Sequence, residues 1–102
     1  MTTEEKKQQP EATLNAEELS FLSLIYSLSQ AAWSWLGRQN HPVSNKIEQD
    51  LAQAKSMIDM LRVLQQKTQG NLSAKEQDLL DNILSDLEIS YVEEVNKKKS
   101  TN

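Results

Sequence analysis

Thr68-Gln69-Gly70-Asn71-Leu72-Ser73, with Glu76 three residues further on, is the stretch that decides how this chain folds. Gly70 supplies the left-handed conformation that stops a helix without a steric penalty. Ser73 and Glu76 have the spacing of a capping box, in which each side chain bonds the other residue's backbone N–H and so opens a new helix. The segment therefore predicts helices on both sides with a reversal between them. Downstream, Leu80, Ile83, Leu84, Leu87 and Tyr91 share one face while Asp78, Asp81, Asp86 and Glu88 lie mostly off it, so the third helix is expected to run to about Val95. Upstream, Ile47, Leu51, Ala54, Ile58 and Leu61 follow a 4-3-4-3 rhythm, widened by Met57, Met60 and Leu64, and this predicts a second helix from about Lys46 to Lys67. Its far side carries Lys55, Asp59 and Arg62, spaced so that Asp59 can pair with both neighbours. These two helices make an antiparallel hairpin.

Further upstream, Asn15 and Glu18 form another capping box, and Leu14 can staple onto Leu19, so the first helix is expected over residues 15–36. From Leu19 to Leu36 the chain reads LSFLSLIYSLSQAAWSWL, with no charged residue. Phe21, Ile25, Leu28, Ala32 and Trp35 line one face, Leu22, Tyr26, Trp33 and Leu36 the next, and Leu24 and Ala31 widen the stripe. Such a helix expects burial nearly all round. Gly37 ends it, and Arg38 to Ser44, containing Pro42, reads as a loop. The fold class is all-α: a three-helix bundle with a C-terminal antiparallel hairpin and an apolar first helix. The polar ends are expected to be disordered tails, residues 1–14 and the Lys-rich residues 97–102, flanking a helical domain over residues 15–96.

Composition limits what this domain can do. Cysteine is absent, which removes disulfides, thiolate metal sites and Cys nucleophiles and agrees with a reducing, cytoplasmic setting. The net charge is -4, and acidic residues outnumber basic ones at the two ends, five to two over residues 1–18 and seven to four over residues 73–102. Nucleic-acid binding, which needs a basic face, is not expected. Lys97-Lys98-Lys99 reads as a solvated helix end. No phosphate loop can be built on Gly37 and Gly70, and His41, the single histidine, has no second nitrogen or sulfur ligand for zinc. The serines of the first helix lack a base partner and can instead bond carbonyls one turn back. Asp59 reads as a member of an exposed charge ladder rather than as a catalytic acid.

The phrases Met57-Ile58-Asp59-Met60-Leu61, Lys67-Thr68-Gln69-Gly70-Asn71-Leu72-Ser73, Leu79-Leu80 and Asp86-Leu87 to Tyr91-Val92 resemble short bacterial proteins catalogued as domain of unknown function 1844. Ser27-Leu28, Ala31-Ala32 and Leu36-Gly37 agree with that family's first helix, so the resemblance covers residues 21–92. It implies a small helical, cytoplasmic protein and brings no catalytic residue, cofactor or metal with it. The family usually has Arg after the Asp-Leu pair of the third helix, where this chain has Glu88.

The first helix calls for something outside the monomer. A transmembrane span is disfavoured, since eighteen residues with five serines fall short of the roughly 20 apolar residues a bilayer needs. A secretory signal is disfavoured by the long, acidic segment before it. If the hairpin covered half of its twelve apolar side chains, the other six would be worth about 9–18 kcal/mol on burial, against about 4–15 kcal/mol for association. The expected function is accordingly that of a non-enzymatic, self-associating interaction or adaptor module, with a dimer favoured and an unidentified protein partner possible. Its candidate interface residues are Phe21, Leu22, Ile25, Tyr26, Trp33 and Trp35, and its structural turn is Gly70, Asn71 and Ser73. The alternative is a peripheral membrane protein that uses the first helix with Trp33 and Trp35 at headgroup level.

Overall fold

The computed structural model describes residues 14–100. Three helices follow one another: α1 (Ala16–Trp35), α2 (Leu51–Lys67) and α3 (Ala74–Ser100), with no strand among the described residues. The start of α1 is the capping box read from the sequence, with Glu18 N–H donating to Asn15 Oδ1 at 2.8 Å and Asn15 N–H to Glu18 Oε1 at 3.0 Å. Its end is a Schellman motif: Gly37 N–H bonds the Ser34 carbonyl and Arg38 N–H the Trp33 carbonyl, both at 3.0 Å, with Gly37 at a φ of 83°. The second capping box opens α3, where Ser73 N–H donates to Glu76 Oε1 and Glu76 N–H to Ser73 Oγ. Gly70 has the expected positive φ, 86°, inside a turn closed by Asn71 N–H on the Thr68 carbonyl.

Each helix contributes one stripe to a single core. Leu22, Ile25, Ala32 and Leu36 come from α1 and its cap, Ala54, Ile58 and Leu61 from α2, and Leu80, Leu84 and Leu87 from α3. Ser73 bonds Glu18 at one end and Arg38 bonds Glu94 at the other, so α1 and α3 run in the same direction and α2 runs against both.

Two boundaries differ from the sequence reading. The second helix begins at Leu51 rather than Lys46, because Asn45 takes a left-handed φ of 57°, its N–H closing onto the His41 carbonyl, and the chain cannot become helical until Asp50 caps the Gln53 N–H. Ile47, expected on the buried stripe, is therefore an exposed loop residue. The disordered tail expected over residues 97–102 is helical as far as Ser100. Lys97, Lys98 and Lys99 occupy the last turn, where cations suit the negative end of the helix dipole, and Lys97 also reaches Glu94 at 3.2 Å. Of the tail expected over residues 1–14, Leu14 packs against the core, and the rest lies outside the described residues.

Burial all round α1 is also corrected. A run without charges is not a run without polarity: Ser20, Ser23, Ser27 and Gln30 recur at helical spacing and are exposed. The hydroxyls of Ser23 and Ser27 donate to carbonyls one turn back, at 2.8 and 2.9 Å, and so form a neutral wet face.

Candidate functional site

The six residues proposed for self-association are divided by the fold. Leu22 and Ile25 are 1% and 0% exposed, locked into the core of the single chain, so they cannot contact a partner while the domain is folded. Phe21, Trp33 and Trp35 are partly buried against the same core. The Trp35 ring also meets His41 edge-on at 4.7 Å between centroids. Tyr26 alone of the six is largely presented, at 48% exposure.

An apolar surface that the sequence did not single out lies between α1 and α2. Leu24 and Leu28 of α1 face Met60, Val63 and Leu64 of α2 across a groove of about 570 Å³, with Ser56, Asp59 and Lys67 as its polar members. Leu24, Met60 and Val63 are exposed at 48%, 49% and 49%, whereas Leu28 and Leu64 are partly buried beneath them. Val63 falls outside the 4-3-4-3 stripe, which is why periodicity passed it over. A second, narrower groove of about 310 Å³ lies between α2 and α3, with Ile58, Tyr91 and Val92 beside Lys55, Asp59, Arg62 and Glu88. Asp59 pairs with Lys55 at 2.9 Å as expected, but Arg62 turns away from it and pairs with Glu88 of α3. Glu88 thus joins α3 to α2.

Polar side chains tie α1 to α3 at the two ends of the bundle. At one end, the Ser73 hydroxyl donates to Glu18 Oε2 at 2.5 Å, and this bond, with that from the Asn15 backbone, holds the Glu18 carboxyl below its usual value. The structural turn therefore does more than reverse the chain, since Ser73 links the first turns of α1 and α3. At the other end, burial by itself would raise Glu94, but bonds from Arg38 at 2.8 Å, Lys97 at 3.2 Å and Gln49 at 3.0 Å bring it below the usual carboxylate value. Arg38, bonded to Glu93 and Glu94, is raised in turn. Gln49 also donates to the Leu36 carbonyl at 2.9 Å, so the loop before α2 is tied to both outer helices. Among the described residues no three His, Cys, Asp or Glu side chains are grouped to hold a metal ion, and no helix is long and apolar enough to cross a membrane.

The model of a family described as "Domain of unknown function (DUF1844)" matches residues 18–93. The chain belongs to the DUF1844 family. The match spans all of α1 except its first two residues, the whole of α2, and α3 as far as Glu93, so the grooves and the Glu18–Ser73 link fall inside the DUF1844 region. Lys97, Lys98 and Lys99 fall beyond it. No curated protein and no solved structure matches the chain.

Proposed function

We propose that this DUF1844 protein is a non-catalytic helical module of the cytoplasm that acts by self-association, through the α2-facing flank of α1 and the adjoining face of α2. The observation that carries the reading is the cluster of Leu24, Met60 and Val63, left about half exposed side by side although the ten-residue core beneath is closed. The groups whose protonation is displaced, Glu18, Arg38 and Glu94, are each engaged in capping or interhelix bonds, which supports structural rather than catalytic roles for them.

The contact is smaller than a helix exposed on half its circumference would give. Only Leu19, Leu24 and Tyr26 remain exposed as large apolar side chains of α1, so α2 has to complete the interface with Met60 and Val63. A weak dimer, with a dissociation constant in the micromolar to sub-millimolar range or about 5–8 kcal/mol, is the expectation for so few exposed apolar side chains. Sedimentation equilibrium from about 10 to about 500 µM spans that range, and a dimer forming with concentration is the expected result. A chain that stays monomeric throughout would overturn the proposal.

The alternative of peripheral membrane contact has less support, because Trp33 and Trp35 pack against the core and face no cluster of basic side chains on α1.

A further inference from the structure

Seven large apolar side chains are exposed on the helices, and three of them gather at one place; Leu19 and Tyr26 of α1 line neither groove. Leu24, Met60 and Val63 open into the same α1/α2 groove, while Ile89 lies outside both grooves and Val92 borders the narrower one. Along α2 the groove has a definite polarity: Asp59 precedes Val63 by four residues and Lys67 follows it by four, and both line the groove. One turn of helix separates Val63 from each, so acid, apolar centre and base stand in a row on one face. A row of that kind is complementary to itself when turned end for end. Rotation by a half-turn about an axis through Val63 brings the acidic end of one copy to the basic end of the other, twice, and closes the assembly at two.

The charges at the two ends are able to take a further partner. Lys67 makes no ion pair among the described residues, and Asp59 engages Lys55 through Oδ2, with Oδ1 unbonded among them. The segment preceding α1 is chemically unsuited to cover the groove, because residues 2–13 contain no apolar side chain larger than that of Pro10.

We propose that a second copy of this chain docks in the α1/α2 groove about a two-fold axis at Val63, setting Asp59 of each copy against Lys67 of the other. The proposal rests on self-association and specifies its surface and register.

The absence of cysteine provides a direct test on the full chain. Val63→Cys introduces one thiol at the axis, where two copies bring their Cβ atoms to disulfide distance, and mild oxidation should yield a covalent dimer. Ile89→Cys, on exposed α3 surface, should give far less under the same conditions. Separately, Asp59→Lys should weaken association at least about tenfold by setting like charges together, and adding Lys67→Asp should restore it. Circular dichroism checks that each variant keeps its helices.

If the wild type associates but Val63→Cys cross-links no better than Ile89→Cys, the surface is wrong while self-association stands. If Val63→Cys cross-links but Asp59→Lys leaves the dissociation constant unchanged, the two-fold register is wrong. A wild type that stays monomeric to about 500 µM overturns the register and the self-association reading together.

Discussion

Gly37→Ala should destabilise this domain about 2.5 to 4 times as much as Gly70→Ala, although both glycines have nearly the same positive φ, 83° and 86°. A Cβ in the left-handed region costs about 1 kcal/mol by itself, and this applies equally to both. The surroundings differ. A Cβ on Gly70 would meet nothing within 4 Å, whereas one on Gly37 would come within 3.3 Å of both Cβ and Nε2 of Gln49. That amide donates to the Leu36 carbonyl and to Glu94, so the few tenths of an ångström by which Gln49 must give are taken from these bonds, and the one to charged Glu94 is the costlier to lose. Losing a hydrogen bond to a charged group costs about 1.5–3 kcal/mol, which puts the total for Gly37→Ala at about 2.5–4 kcal/mol against about 1 kcal/mol for Gly70→Ala. Urea titration followed by helical circular dichroism and by Trp33 and Trp35 fluorescence measures both on one scale. In a Gln49→Ala background the excess should shrink, since the amide is no longer there to be displaced. Equal losses for the two glycines would refute the reasoning and show that Gln49 yields freely.

The other expectations are more compact. Glu94 is held below its usual value of 4.5, so its contribution to stability is complete above that value and is lost as pH falls through its lower folded value; Glu94→Gln should flatten the dependence of Tm on pH below about 4.5 and leave little pH dependence near neutrality to distinguish it. Leu61→Ala, at a fully buried position of α2, should cost about 2–5 kcal/mol in the same urea titration, whereas Met60→Ala one residue earlier should cost less than about 1 kcal/mol in the monomer. Ser73→Ala removes the α3 cap and the partner of Glu18 together and should cost about 1–2 kcal/mol, with Ser73→Thr recovering most of it.

The parts of this fold that could be read from the sequence are those written in local chemistry. Both capping boxes, Asn15 with Glu18 and Ser73 with Glu76, form as read, because each is complete within four consecutive residues. Gly70 takes the positive φ expected of it, and Gly37 ends α1 as expected, also at a positive φ. Local rules went astray where the signal was ambiguous. Ile47 continues the helical rhythm of α2 yet lies before its start, and Asp50, a strong N-cap residue, was the available sign of where the helix begins. On α1 the absence of charge was read as an absence of solvent contact, although serines had taken the outward positions that Lys and Glu usually hold. That Leu22 and Ile25 lie in the core rather than on a free surface has a different cause. Periodicity shows that Leu22 and Leu24 are apolar but not which of them faces α3 and α2 and which faces water, and that depends on three helix axes at once. Val63 and the Arg62–Glu88 pair were invisible for the same cause, since both depend on how α2 is rotated against its neighbours.

The polar links at the two ends of the bundle also bear on the order in which the chain assembles. Glu18 to Ser73 and Arg38 to Glu94 span 55 and 56 residues, so both join α1 to α3 across the entire intervening hairpin. Helices that follow one another in the chain close short loops at little entropic cost, whereas the two α1–α3 links close only across the whole intervening chain. Each sequence-adjacent pair of helices can therefore pack before these two links close, and the links fix α1 against α3 afterwards. In native-state hydrogen exchange, amides beside these end links should open at a lower free energy than those around Leu61 and Leu84 in the core, and breaking either link should lower the protection at its own end of the bundle first.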